Sequence, residues 1–147
     1  MKVLLDTNVL LAAFATRGFC FDLLQLVISE HRLVVGENVL EELARALRVK
    51  IGMSSGGVAE VVGFLREIAE VEAPSAPAEW PVGDPDDRWV VAAAMLGQVD
   101  VVVTGDRDLL QPGGPSDLLI VNPREFWNLV STGRRPTGGH LLMDRRR

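Results

Sequence analysis

The sequence predicts an α/β fold in which helices cover both faces of a mostly parallel sheet. Short, continuously apolar runs such as KVLL, RLVV and DVVVT are typical of strands that are buried on both faces. Stretches with apolar residues at helical spacing separate these runs, and this alternation indicates a parallel sheet. Of the 147 residues 48% are hydrophobic, which is enough for one domain with a sizeable core.

The first half of the chain contains two predicted strands and three predicted helices. Continuous apolar runs make Lys2–Leu5 the first strand and residues 32–35 the second. Apolar residues recur at helical spacing in residues 20–31 and again in the amphipathic residues 37–48. A Ser/Gly-rich turn (SSGG) precedes residues 57–71, which we predict to be helical.

The second half begins with a connector rich in proline and alanine, residues 73–82. We predict a deeply buried helix over residues 86–97, because this stretch is apolar almost all round after its first residues. Residues 100–104 (DVVVT) form the clearest strand of the chain, residues 118–121 form another, and residues 124–130 form a closing helix.

Charge is distributed unevenly between a single predicted domain, residues 1–132, and a basic tail, residues 133–147. The net charge is −5, but the tail carries five arginines against Asp144 and has a charge of +4, which leaves −9 on the domain. Proteins that bind polyanions are normally basic. The domain is therefore not expected to be a passive nucleic-acid binder, and bound divalent cations would have to offset its charge near nucleic acid.

Cys20 is the only cysteine, so neither a disulfide framework nor a cysteine-based zinc site is expected. This predicts a reduced, cytoplasmic setting. No apolar stretch approaches the roughly 20 residues that span a bilayer, so we expect no membrane association. Asp6 interrupts the apolar opening segment, which argues against a signal peptide.

Two aspartates follow predicted strands, at the edge where parallel sheets bind ligands. Asp6 comes directly after the first strand, where it is either an N-cap or a functional carboxylate. Asn8 is either a first-turn residue or a group that orients Asp6 or a metal-bound water.

Asp106 follows the clearest strand by two residues, after a glycine, Gly105, that permits a tight turn. Its alternative role is that of an ordinary turn residue. Thr104 could form a hydrogen bond to a metal ligand or to a scissile phosphate. Asp108 could cap the short segment that follows.

Helical geometry selects between neighbouring acids at two further places. Glu42 flanks the apolar face of its helix, whereas Glu41 points nearly opposite that face, so Glu42 is the residue that can reach an interior cleft. In DPDD, Asp87 lies with buried positions of its helix and is favoured over Asp86, which remains a second candidate. Caps and first-turn acids, with Asp84 as the N-cap, explain the DPDD stretch almost as well.

Four carboxylates gathered at one cleft would repel one another and raise each other's pKa unless cations bind. Oxygen-only ligation suits Mg²⁺ or Mn²⁺ rather than zinc, and the chemistry that matches such a site is phosphodiester hydrolysis. The two histidines, His31 and His140, lie far from these acids in sequence, so a histidine general acid is not expected.

The motifs MKVLLDTNVLL, ENVLEELARAL, DPDDRWVVAAAMLG and DVVVTGDRDLL, in this order, resemble the PIN-domain nucleases, in particular the stand-alone prokaryotic proteins akin to VapC toxins. The resemblance implies a three-layer α/β/α fold, RNA cleavage that depends on a divalent metal, frequent homodimerisation and, in many relatives, a partner antitoxin. The acids of the family fall on Asp6, Glu42, Asp87 and Asp106. Asn8 and Thr104 match its polar supporting positions.

The sequence departs from the family pattern at three places. Gly36 stands where relatives commonly carry Ser or Thr at a helix start. The spacing of nineteen residues from Asp87 to Asp106 is about one longer than the commoner pattern, which keeps Asp86 in consideration. The basic tail has no counterpart, and it either contacts RNA through its arginines or is a disordered end.

Three functions follow from these observations. The leading hypothesis is a metal-dependent endoribonuclease that acts as the toxin of a toxin–antitoxin pair. A phosphatase of the haloacid-dehalogenase kind would also place an Asp after the first strand, but it would want a second Asp where Asn8 stands. The third hypothesis is a PIN-like module without catalysis that binds nucleic acid or a partner protein.

Overall fold

A computed structural model describes residues 1–79, 85–110 and 118–132. In this part of the chain the strands are β1 (Lys2–Leu5), β2 (Arg32–Gly36), β3 (Glu70–Glu72), β4 (Val101–Val103) and β5 (Leu119–Val121). The helices are α1 (Thr7–Ala15), α2 (Phe19–Glu30), α3 (Glu37–Val49), α4 (Ser55–Ile68), α5 (Pro85–Leu96), α6 (Arg107–Leu110) and α7 (Pro123–Thr132). The predicted basic tail, residues 133–147, lies outside the described residues.

The five strands form one parallel sheet in the order β3-β2-β1-β4-β5. The chain runs outward from β1 to β3 on one side and then continues through β4 and β5 on the other. The order therefore reverses between β1 and β4, and connections that leave these two strands diverge. Such a switch point leaves a crevice outside the carboxyl ends of the strands, where α/β proteins bind their ligands.

The sheet is covered on both faces, which confirms the predicted three-layer α/β/α arrangement. Val3, Leu4 and Leu5 of β1 are all buried, although successive side chains of a strand point to opposite faces. The same holds for all three residues of β4. Strands that are apolar at every position are thus the consequence of helices on both sides, as the runs in the sequence predicted.

One predicted element was wrong at its end. Residues 57–71 were predicted as one helix, but α4 ends at Ile68 and residues Glu70–Glu72 form β3, which pairs with β2. This edge strand is only half-buried and lacks the apolar run of the other strands. Glu70, the first residue of β3, forms ion pairs with Lys2 (Nζ to Oε2, 3.2 Å) and Arg32 (Nη2 to Oε1, 3.0 Å). These contacts join segments that are distant in sequence.

No single helix in the described ranges is long and apolar enough to cross a membrane. Helices α1 and α2 reach such a length and apolar composition only together, and the chain bends by 108° between them. Both helices contribute residues to the hydrophobic core, including Leu10 of α1 and Leu23 of α2.

Gly97, at the end of α5, is required by close packing. A Cβ at this position would lie 3.1 Å from Val34 Cγ1, 3.1 Å from Glu72 Cγ and 3.3 Å from the carbonyl oxygen of Ala93. The helix can therefore approach β2 and β3 closely only because residue 97 has no side chain. Gly63, in the interior of α4, has no atom within 4 Å of the corresponding position.

We predict that Gly97→Ala lowers the free energy of unfolding by about 1–3 kcal/mol, because the added methyl group overpacks the junction of α5 with the sheet. Urea denaturation measures the effect. Gly63→Ala is the matched control, and it should raise the free energy of unfolding by about 0.5–1 kcal/mol, since alanine is the better helix former. Stabilisation by both substitutions would contradict the packing argument.

Candidate functional site

A cleft of about 340 Å³ opens beside the switch point of the sheet. Its lining includes all four acids that the sequence singled out, and these are Asp6, Glu42, Asp87 and Asp106. They come from the end of β1, from α3, from the start of α5 and from the segment after β4. The fold thus brings together, in one cleft, residues that lie up to a hundred positions apart in the chain.

Asp6 is buried and uses both of its oxygens. Its Oδ1 accepts a hydrogen bond from the backbone N–H of Thr7 at 2.8 Å, so that it caps α1, and its Oδ2 accepts one from Thr104 Oγ1 at 2.8 Å. Asp6 is therefore an N-cap, as one of its two interpretations predicted, and it also lines the acidic cleft. Helix α1 begins directly after it.

Burial raises the pKa of Asp6 above its ordinary value. The hydrogen bonds from Thr104 and Thr7 act in the opposite direction, while the negative charges of Asp106 and Asp86 raise the pKa further. The site therefore disfavours the ionised form of Asp6.

Thr104 connects the two aspartates at the strand ends. Its side chain is fully buried, donates to Asp6 Oδ2 and accepts the backbone N–H of Asp106 at 3.0 Å. Its own backbone N–H donates to Val121 of β5 at 3.0 Å, which anchors it in the sheet. A single hydroxyl thus sets the position of Asp106 relative to Asp6.

Asn8 is an exposed first-turn residue of α1, and its Oδ1 accepts the backbone N–H of Gly105 at 3.0 Å. It therefore holds the segment that carries Asp106 rather than orienting Asp6. Gly105 was predicted to permit a tight turn, but its φ is not positive, so the backbone here does not depend on glycine. The side chain of Asp108 lies outside the described part of the structure.

On α3 the structure agrees with the helical geometry, since Glu42 lines the acidic cleft and Glu41 is exposed and does not line it. Gly36 precedes this helix without a side-chain cap. A Cβ at Gly36 would lie 2.7 Å from Asn38 Oδ1 and 3.1 Å from Ala93 Cβ. The glycine therefore makes room for the Asn38 side chain and for α5, where a capping side chain would crowd both.

On α5 the structure keeps two candidates. Asp87 is only 4% exposed, as its position on the helix predicted, whereas Asp86 is exposed. Both line the cleft, and the charge of Asp86 is felt by Asp6. The predicted N-cap of this helix, Asp84, lies outside the described residues.

Sequence reasoning missed two cations at the cleft, Arg45 and Lys50. Arg45 lies one turn beyond Glu42, and Ala46 and Val49 continue the same stripe of α3. Helical spacing from Glu42 was the signal that could have revealed them. Of the ion pairs among the described residues, none involves Arg45 or Lys50.

The lining of the cleft fits a hard cation in its chemistry. Its acidic ligands offer only oxygen, which suits Mg²⁺ or Mn²⁺, and burial next to other negative charges leaves Asp6 with a raised pKa that a cation would relieve. In the described ranges no three His, Cys, Asp or Glu residues lie close enough together to surround one ion. Mg²⁺ commonly keeps several waters and uses only one or two carboxylates, so this spacing still fits it.

The protein is an α/β protein with a doubly covered parallel sheet and carboxylates at the switch point, which is where proteins of this class commonly bind their ligands. Residues 2–108 match the family model described as PIN domain. The chain therefore belongs to the PIN domain family, as its motifs predicted. All five acids that line the cleft, which are Asp6, Glu42, Asp86, Asp87 and Asp106, fall within the matched residues.

Solved structures show the same fold. VapBC2 from Rickettsia felis, determined bound to a DNA fragment from its promoter, is 16% identical, and the match has a TM-score of 0.54 and covers 73% of this chain and 89% of that one. VapBC-1 from nontypeable Haemophilus influenzae is 20% identical, with a TM-score of 0.52 and coverage of 76% and 91%. No curated protein sequence matches the chain significantly.

We predict that Asp6→Asn raises the free energy of unfolding by about 0.5–2 kcal/mol near neutral pH without divalent metal. Asparagine keeps the cap and removes a charge that burial and neighbouring carboxylates disfavour. Because the pKa of Asp6 is raised in the folded state, that state binds more protons, and the wild type loses stability as pH rises above the ordinary value of 3.8. The advantage of the variant should therefore shrink as pH falls toward about 4.

Denaturation curves in EDTA at several pH values measure this difference. Asp22→Asn is the control, because Asp22 is an exposed aspartate in the first turn of α2, outside the cleft. A variant of Asp6 that is less stable than the wild type at neutral pH would show that the buried charge is fully compensated by its hydrogen bonds.

Proposed function

We propose that this protein is a divalent-metal-dependent endoribonuclease. The observation that carries the proposal is the convergence of Asp6, Glu42, Asp87 and Asp106 on one cleft in a member of the PIN domain family. We assign these four acids to metal binding, either directly or through the waters of the ion, and to catalysis, with Asp86 as the alternative to Asp87. Residues 1–132 form the nuclease domain in this proposal, and residues 133–147 a separate basic tail.

Each of the four acids has its own support from the fold in this proposal. Asp6 and Asp106 contribute carboxylates whose relative position is set by Thr104, and Asn8 holds the backbone beside Asp106. Glu42 and Asp87 contribute carboxylates from the two helices that flank the switch point. A bound Mg²⁺ or Mn²⁺ supplies Lewis-acid chemistry at a phosphoryl oxygen and makes water a stronger nucleophile.

RNA is a polyanion, and a cleft with several carboxylates repels it. Bound cations reduce this repulsion, and the side chains of Arg45 and Lys50 add positive charge on the same wall as Glu42. We therefore assign these two residues to the phosphates of the RNA strand. Their position explains how a domain with a charge of −9 can hold a polyanion at one place on its surface.

We further propose that the protein acts as a toxin that is blocked by an antitoxin protein and that it forms a homodimer. The proposal is supported by the similarity of the fold to VapBC structures. Co-expression with the product of a small neighbouring reading frame, followed by light scattering of the purified species, tests both statements. A monomer that gains no partner would contradict them without affecting the nuclease assignment.

We expect the purified protein to cleave a mixed RNA pool in Mn²⁺, to lose this activity in EDTA, and to lose about 100-fold or more of it in the Asp106→Asn variant. Time courses on denaturing gels measure the rates. Asp22→Asn carries the same chemical change on an exposed residue outside the cleft and should cleave like the wild type.

Equal cleavage by Asp106→Asn and the wild type would overturn the site assignment. If the wild type cleaves no RNA in any metal but still binds it, the protein is a binding module without catalysis.

Arg45→Gln should weaken binding of single-stranded RNA and reduce the slope of log affinity against log salt by about 0.7, the amount expected for one phosphate contact. The measurement uses the Asp106→Asn background, so that RNA is not cleaved. Arg48→Gln is the matched control, because Arg48 is an exposed arginine of the same helix that does not line the cleft. Equal slopes for the two variants would remove Arg45 from the RNA path.

A further inference from the structure

A second cleft of about 360 Å³ adjoins the acidic one. The two clefts share Glu42, Arg45 and Asp86 as lining residues, so they lie on either side of a common wall. An RNA strand that occupies the acidic cleft can therefore extend toward this second cleft. Beyond the shared wall its lining changes in character, because it contains an aromatic side chain.

That aromatic side chain is Trp89 of α5, which is half-buried and lies two residues beyond Asp87. Pro74, from the connector after β3, adds a second apolar surface to the same cleft. A partly exposed indole in a groove is the kind of surface on which proteins stack the bases of single-stranded nucleic acid, because each base has a π-face. In contrast, Trp127 of α7 packs against Phe19, with the two ring centroids 5.4 Å apart, and it lines neither cleft.

The polar groups of the second cleft are mostly hydrogen-bond acceptors. Glu37 is already engaged, since Arg66 donates to both of its oxygens at 2.9 and 2.6 Å. Glu41 is an exposed carboxylate of this cleft, whereas Asn38 Oδ1 is buried beside Gly36 and is closed to a ligand in the cleft. The exposed carboxylate of Glu41 can accept a hydrogen bond from the exocyclic amino group of a base, a group that uracil lacks.

Arg45 lies on the wall between the two clefts. A nucleotide with its base in the second cleft and its neighbour in the acidic cleft would place the connecting phosphate beside this guanidinium. The guanidinium of Arg45 thus lies at the point along the RNA strand where a phosphate, rather than a base, is expected.

We propose that the second cleft is a base-binding subsite for single-stranded RNA, in which Trp89 stacks on the base and Glu41 selects an amino-bearing base next to the acidic cleft. The proposal rests on the assignment of RNA as the substrate. It concerns binding, however, and can be measured without any cleavage.

The test uses fluorescence of Trp89 alone, in the Asp106→Asn protein with Trp80→Phe and Trp127→Phe added. Cytidine and uridine hexamers are the probes, because these bases have the same ring size and differ at C4, which carries an amino group in cytosine and a carbonyl in uracil, and at N3, which carries a hydrogen only in uracil. We expect both hexamers to quench the fluorescence and the cytidine hexamer to bind about tenfold more tightly.

Two substitutions separate stacking from base selection. In the background that retains the other tryptophans, Trp89→Leu should weaken binding of the cytidine hexamer about tenfold, whereas Trp89→Phe should retain most of the affinity because it still stacks. Trp127→Leu is the matched control and should bind normally. Glu41→Gln should reduce the preference for cytidine, while Glu60→Gln, an exposed glutamate on α4, should not. Circular dichroism establishes that each variant is folded.

Unchanged affinity of a folded Trp89→Leu variant would overturn the subsite, and this is also the result expected if the cleft instead holds a segment of a partner protein. Equal binding of the two hexamers would overturn the selection of an amino-bearing base. If Trp89-dependent binding is found but the wild type cleaves no RNA, the subsite stands and the nuclease assignment fails. If the wild type cleaves RNA and binding is independent of Trp89, the nuclease assignment stands and the subsite fails.

Discussion

The hydrogen bond from Thr104 to Asp6 is the interaction on which the candidate site depends. It joins the carboxyl ends of β1 and β4, the two strands between which the sheet order reverses, at a distance of 2.8 Å. The same hydroxyl accepts the N–H of Asp106, so the carboxylate after one strand and the backbone after the next are positioned by one buried side chain. A switch point alone provides a crevice, and this bond makes it a crevice with two carboxylates in a defined relation.

The electrostatics of the cleft follow from the same arrangement. Asp6 is buried beside other negative charges, and its pKa is raised although two hydrogen bonds oppose the rise. A protein keeps an ionised group in such a place at the expense of stability, and this is common where charge serves binding or catalysis. In the proposed function the cation would offset the carboxylates, and Arg45, which lines the same cleft, would attract a phosphate of the RNA.

The sequence predicted most of the fold because the strands next to the switch point are buried on both faces and read as continuous apolar runs. The exception was β3, which is short, half-buried and at the sheet edge, so that its residues carry no run and its pairing depends on β2 and on ion pairs of Glu70. Helical spacing also predicted correctly that Glu42, rather than Glu41, faces the acidic cleft. It was less decisive for Asp86 and Asp87, because both line the cleft from adjacent positions at the start of a helix.

By itself the sequence determined the alternation of strands and helices, the strand-end positions of Asp6 and Asp106, and the choice of Glu42, because each of these depends on local periodicity and order along the chain. Only the tertiary structure decided that Thr104 bridges the two aspartates, that Asn8 holds Gly105, and that Gly36 makes room for Asn38. It also decided that Arg45 and Trp89 line adjoining clefts. These relations join residues from different elements, and their distances depend on how the helices pack on the sheet, which no local pattern specifies.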